Sequence, residues 1–299
     1  MQNIQQVLAF ASAARHASFA KAARELALSP SAVAKSVSRF EAQLGVKLFY
    51  RTTRKVNLTP DGRQIFAQCQ RILDEVETLK STVSGARSVP SGKLCISAPL
   101  TFGKLVVLPA LAQLLAKYPQ LSVDARLTDQ VDDLVLEGLD AAVRIGPLED
   151  SRLIARTFAQ QVLMVSASPA YLKARGKPKQ PRDVERHECV LFRLPASGRD
   201  RPWEFLVDGA PVKLRPPARL RLSDGEALVS AALDGLGLVQ APHYMIADAM
   251  REGRLVECLK EFRPAPLPIS VVHPGNRMLA PRVRAFIDAL TTGSRRVSK

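Results

Sequence analysis

Residues 18–44, SFAKAARELALSPSAVAKSVSRFEAQL, constrain the fold more than any other stretch, because they read as two short helices joined by a tight turn. Ser18 is an N-cap for a helix over 19–26, its hydroxyl able to accept from a free first-turn N–H. Phe19, Ala22, Ala23 and Leu26 share one face of that helix. Residues 27–29 make the turn. Ser29 then caps a second helix whose first position is Pro30, where the missing N–H costs nothing. In it Val33, Val37, Phe40 and Leu44 recur at i, i+4, i+7 and i+11, one apolar face, while Ser31, Lys35, Ser38 and Arg39 gather opposite. Such a small, polar, cationic surface suits entry into a DNA major groove. An ordinary helical hairpin with a solvated basic face has the same spacing.

The surroundings separate the two readings. Residues 1–58 carry nine Lys/Arg against two Asp/Glu, a net of +7. Residues 59–90 balance at four each, and 91–299 carry thirty against twenty-two. The net charge of +15 over 299 residues is therefore densest at the N-terminus, as nucleic acid rather than a membrane would require. Binding of that kind weakens steeply with salt. After the second helix, LFYRTTRKVNLT places Arg51, Arg54 and Lys55 in a Thr-rich, β-prone segment. A reading helix followed by a cationic hairpin is a winged helix-turn-helix, the wing gripping phosphates.

At this point residues 1–66 resemble the N-terminus of LysR-type transcriptional regulators. The landmarks are Phe19, Ala22, Ala23, Leu26, Ser29, Ser31, Val33, Glu41, Leu44, Gly45, Leu48, Phe49, Arg51, Leu58, Thr59 and Gly62. The resemblance implies a sequence-specific regulator, not an enzyme. It also implies DNA contacts from Ser29, Pro30, Ser31, Lys35, Ser36, Arg39, Arg51, Arg54 and Lys55. One departure is Ala34, where the family usually has Ser; Ser31, Lys35 or Ser36 would then supply the missing hydrogen bond.

Thr59 and Pro60 open a long helix lasting to about 84. Ile65, Cys69, Ile72, Val76, Leu79 and Val83 form a heptad seam along it. A helix of this length needs a partner, either a second protomer or the chain's own C-terminal part. The resemblance implies the former, a homodimer or homotetramer, and with it two reading helices one DNA turn apart on an inverted repeat. It also allows RNA polymerase as a further partner. Residues 85–92, GARSVPSG, form a hinge.

Beyond the hinge, strands are expected at 94–98, 121–127, 141–145, 161–166, 189–193, 203–207, 237–240 and 269–273. Helices are expected at 103–117, 132–139, 227–234 and 281–290. The alternation argues for an α/β domain with a mainly parallel sheet. By resemblance the fold class is an N-terminal all-α winged helix-turn-helix with a long linker helix, then a C-terminal α/β, two-lobed, periplasmic-binding-protein-like regulatory domain. The expected divisions are 1–58, 59–91 and 92–299, with lobe I at 92–162 and 269–299 and lobe II at 163–268.

Ligands of open α/β lobes bind beyond strand carboxyl ends, where helix N-termini offer free N–H groups. Three segments fit: Thr101 and Phe102 after the first strand, Arg144 and Gly146, and Ser223 with Asp224. Arg193, Trp203 and Gln240 would line the opposite wall of an effector cleft. Thr101 and Ser223 can equally be helix caps. Arg144 can pair with Asp140 or Glu149, and Trp203 can be a hairpin core residue. Arg144 and the helix ends favour an anionic small molecule, whereas Asp224 disfavours a strongly anionic one.

Catalytic chemistry finds little support. His16, His187, His243 and His273 stand apart, His187–Glu188–Cys189 is a lone local trio, and Gly235–Leu236–Gly237 lacks the third glycine of a dinucleotide loop. No cofactor is expected. A small-molecule-binding or catalytic α/β protein with a basic arm, and an effector-independent architectural DNA binder, are the alternatives. The polar N-terminus and the short apolar run at 105–116, broken by Pro109, argue for a cytoplasmic protein without a membrane span. The four cysteines lie far apart with no CxxC pair, as small buried hydrophobes do; a redox-sensing pair is the other reading.

Overall fold

The structure is a computed structural model describing residues 2–50, 56–83, 89–130, 133–134, 137–148, 153–195, 197–274 and 279–293. The chain divides into two units, 1–88 and 89–299.

In the first unit, α1 (Gln2–His16), α2 (Phe19–Glu25) and α3 (Pro30–Leu44) are followed by α4 (Pro60–Val83). Phe10 is the hub of its core, fully buried. The Phe10 ring lies 5.9 Å from Phe40, 5.4 Å from Phe49 and 6.3 Å from Phe66, tying α1 to α3, the wing base and α4. Buried Ala13, Ala22 and Ala23 keep the α1–α2 corner close. The expected caps are present: Ser18 Oγ accepts from Lys21 N at 3.3 Å, Ser29 Oγ from Ala32 N at 3.2 Å, and Gly45 ends α3 at φ +71°. Thr59 Oγ1 accepts from Gly62 N at 2.9 Å and donates to Lys47 O at 2.6 Å, fastening the start of α4 to the wing base.

The heptad seam divides. Cys69 is 2% exposed inside this unit's own core, with Ile65, Phe66 and Leu73 against it. Ile72 is 46% exposed. The first turns of α4 are thus spoken for within the unit; the side chains of Leu79 and Val83 lie outside the described residues.

The second unit holds two sheets. The first takes β1 (Gly92–Ala98), β2 (Leu121–Leu127), β3 (Ala141–Ile145), β4 (Leu153–Gln161) and β12 (Leu267–Pro274) in the order β2-β1-β3-β12-β4. The pairs β1–β2 and β1–β3 are parallel; β12 runs antiparallel to β3 and β4. The sheet is mixed rather than mainly parallel, because β12 returns from the second lobe in the opposite sense. Its core is closed by α5 (Leu100–Phe102), a π-helical turn (Gly103–Val107), α6 (Leu108–Lys117) and α10 (Pro281–Gly293). The helix therefore begins at Leu100, three residues before its expected start. Residues 100–117 are long and apolar enough to cross a membrane, contrary to the expectation from the shorter run. Phe102, Val107, Leu111 and Leu114 bury one face of it in the core.

The second sheet joins β5 (Leu163–Ala167), β10 (Val239–Pro242) and β11 (Val256–Cys258), with β5 central and antiparallel to both. The parallel pair β6 (Cys189–Phe192) and β9 (Ala218–Leu222) attaches through Cys189 and Leu238. A hairpin, β7 (Trp203–Val207) and β8 (Ala210–Leu214), and the helices α7 (Pro169–Arg175), α8 (Gly225–Leu233) and α9 (His243–Arg251) complete it. The helix expected over 132–139 appears among its described residues as turns, with Glu137 N donating to Asp133 O and Leu139 N to Leu134 O.

Candidate nucleic-acid interface and ligand cleft

Val33 and Val37 bury one side of α3, which turns Ser31, Lys35, Ser38 and Arg39 into water. Ser29 and Pro30 are exposed at its start, Ser36 is half-buried, and Ser29 and Ser31 join hydroxyls at 3.0 Å. Ala34 is half-buried and offers no polar atom. Arg51, Arg54 and Lys55 lie outside the described residues. The base of their hairpin is set on either side by the Phe49–Leu58 bridge and by Tyr50 N donating to Asn57 O at 2.9 Å.

Glu41 fixes the angle between α3 and that hairpin. Its carboxylate, 8% exposed, accepts from Leu48 N at 2.8 Å, Phe49 N at 3.3 Å and Lys47 Nζ at 3.2 Å. Charge-assisted bonds of this kind are about twice as strong as neutral ones. At the far corner, Glu25 gathers the Ser12 hydroxyl, Arg15 and His16, clamping α1 to α2. The Ser12 hydrogen bond, outweighing partial burial, holds the Glu25 carboxyl below the usual range.

In the second unit, Thr101 and Gly225 meet where the two sheets face each other. A Cβ on Gly225 would stand 2.8 Å from Thr101 Oγ1 and 3.0 Å from the Met245 methyl. Phe102, fully buried, meets the Tyr244 ring edge-on at 5.1 Å, and Tyr244 OH donates to Gln161 Oε1 at 3.1 Å. Residues following β1, the end of β4 and the starts of α8 and α9 thus converge.

Several expectations for this cleft need correction. Neither Thr101 nor Ser223 caps a helix: Pro99 precedes α5 without a side-chain bond, and Asp224 Oδ1 accepts from Ala227 N at 2.7 Å. Asp129 Oδ1 accepts from Leu100 N at 2.9 Å. Both helix starts thus already hold a carboxylate, which weakens the case for an anion there. Trp203 is 2% exposed in the second lobe's core, so it is not a ligand wall. Gln240 spends its amide on Glu204, accepting from the backbone N at 3.0 Å and donating to the backbone O at 2.8 Å. Arg193 is exposed and pairs with Asp200 at 3.6 Å. Arg144 reaches Ser97 Oγ at 3.3 Å; Asp140 instead holds the buried Arg282 at 3.0 Å. Gly146 is buried at φ +103°, its N donating to Pro268 O at 2.9 Å.

Arg201, Tyr244, Asp129 and Gln161 were not singled out by the sequence. They lie far apart in the chain, and only an RPWEF run before a strand marks Arg201. Burial pushes the Cys189 thiol up to about 12, and those of Cys69 and Cys258 up to about 11. All four cysteines are free. Among the described residues no cluster of His, Cys, Asp and Glu could hold a metal.

A helix-turn-helix unit joined to a two-sheet α/β unit with a convergent cleft defines a DNA-binding regulator that answers to a small molecule. Residues 4–63 match the bacterial regulatory helix-turn-helix protein, lysR family, and residues 87–295 the LysR substrate binding domain. The chain belongs to the LysR family of transcription regulators, a family of regulators and not of enzymes. It is 34% identical over 288 residues to the HTH-type transcriptional regulator PtxR of Pseudomonas aeruginosa, spanning 96% of this chain and 92% of that one. It is 33% identical over 280 residues to the HTH-type transcriptional regulator DmlR of Escherichia coli, covering 93% and 90%. The structure of CrgA, a LysR-type regulator from Neisseria meningitidis, superposes with a TM-score of 0.62 at 31% identity, covering 96% of this chain and 97% of that one.

Proposed function

We propose that Ser31, Lys35, Ser36 and Arg39 meet base edges and adjacent phosphates in a major groove, with Ser29 and Pro30 at the groove's edge. The wing residues Arg51, Arg54 and Lys55 hold the backbone beside it. The outward, polar, cationic face of α3, with Glu41 tying that helix to the wing base, carries this reading. The distal part of α4, where Ile72 stands exposed, pairs two protomers, so that two reading helices address an inverted repeat. Regulatory domains associate further into a tetramer, and RNA polymerase is met at the promoter. The protein works inside the cell, where that DNA is.

A small effector binds between the two sheets near Thr101 and Gly225 and shifts the population between two assembly geometries. Footprinting tests the DNA half. A pseudo-palindromic site is expected, lost in Lys35→Ala and Arg51→Ala while their unfolding curves stay those of the parent. Parent-like protection by both variants would remove these residues from the interface.

A further inference from the structure

Arg201 combines two properties that rarely coexist. Its side chain is largely shielded, and burial is the main influence drawing its guanidinium below the ordinary arginine range, with Glu204 and then Tyr244 opposing. Yet among the described residues that guanidinium makes neither a hydrogen bond nor an ion pair. Glu204, the nearest carboxylate acting on it, is held by Lys213 at 3.0 Å. A shielded cation without a partner costs several kcal/mol, and arginine cannot escape by losing its proton.

Its position is at the seam. Arg201 acts on Tyr244, whose hydroxyl reaches Gln161 and whose ring meets Phe102, beside the Thr101–Gly225 contact. The helix starts of α5 and α8 already hold Asp129 and Asp224. Those two carboxylates occupy the sites an anion would otherwise take and repel a second negative charge. What is left for one anion is a planar, five-donor fork that matches a carboxylate in two-point fashion.

We propose that Arg201 is the anion receptor of this cleft and that the effector is a small monocarboxylate, paired with the guanidinium and lying against Tyr244. The inference rests on the cleft reading given under Proposed function. Its neutral amide counterpart would leave the guanidinium unpaired and bind poorly.

Thermal-shift and calorimetric titration of the full chain tests it, with acetate, lactate and benzoate at matched ionic strength beside lactamide, benzamide and inorganic phosphate. At least one carboxylate should raise Tm while its amide does not. Arg201→Gln should raise that carboxylate's Kd tenfold or more, about 1.4 kcal/mol, with Arg201→Lys between. Without ligand, Arg201→Met should raise Tm, since it removes an uncompensated charge; a structural arginine would do the reverse, and a lower Tm overturns the proposal. So does a panel in which no carboxylate stabilises the parent, or in which an amide or phosphate binds as tightly. Carboxylate binding that survives Arg201→Gln but fails in Thr101→Val overturns the receptor and keeps the cleft. Binding indifferent to both overturns the cleft as well.

Discussion

The Lys104 ammonium and the Glu226 carboxylate meet at 3.0 Å across the seam between the two sheets. Lys104 lies in the π-helical turn three residues beyond Thr101, and Glu226 in the first turn of α8 beside Gly225. Both side chains are more than two-fifths exposed, so the pair contributes at most about 1 kcal/mol. Lys104→Ala should therefore leave Tm nearly unmoved. If the pair holds the lobes together around ligand, the same variant weakens effector binding by up to about fivefold. Titration calorimetry reads this, and the charge-swapped double variant, Lys104→Glu with Glu226→Lys, should recover the parent affinity.

Glu41 couples stability to DNA binding. Glu41→Ala strands the N–H groups of Leu48 and Phe49, for a loss of about 2–4 kcal/mol. Glu41→Gln keeps an acceptor and should lose less. Urea unfolding of the full chain gives the first quantity. Gel shifts under folded conditions should give weaker binding for both variants, since the wing base loses its anchor to α3.

Gly62 is a glycine because α4 begins against the wing. A Cβ there would stand 2.1 Å from the Leu48 carbonyl oxygen, an approach that backbone must relieve. Gly62→Ala is expected to destabilise by about 1–3 kcal/mol despite its better helix propensity. Thermal unfolding measures it; an unchanged or raised Tm would contradict the close contact.

The Glu25 clamp sets an acid limb. Because its folded carboxyl titrates below the usual range, its stabilisation is complete above the unfolded value and is lost as pH falls through the folded one. Unfolding curves from about pH 7 down to about pH 3 should fall less steeply for Glu25→Gln than for the parent. The difference will be modest, since Glu25 and its partners are substantially exposed.

Buried thiols predict chemical silence. With Cys189 pushed up to about 12 and Cys69 and Cys258 to about 11, little thiolate exists near neutral pH. Iodoacetamide should label these three slowly in the folded chain and rapidly in urea, as mass spectrometry would report.

Local signals made much of the N-terminal unit legible. Ser18, Ser29, Pro30 and Gly45 act through neighbours three or four residues away, so their roles could be read directly. Strands β2, β3 and β7 announced themselves by apolar residues bounded by turns. The edge strand β4, LIARTFAQQ, is mostly exposed and carries no clean alternation, so only its end was anticipated. The sense of β12 depends on how the chain returns from the second lobe, which no local pattern encodes. The cleft failed for the same reason. Trp203 and Gln240 look like recognition residues until the hairpin and the Glu204 backbone claim them. Arg201 looks ordinary until its distant neighbours leave it without a partner.

Competition gel shift with a promoter fragment carrying the protected site tests the central claim most directly. The account predicts that unlabelled cognate duplex displaces the probe at far lower concentration than unrelated duplex, and that Lys35→Ala erases most of this difference while leaving salt-sensitive non-specific binding in place. Equal displacement by both duplexes, with the parent protein folded, would contradict it.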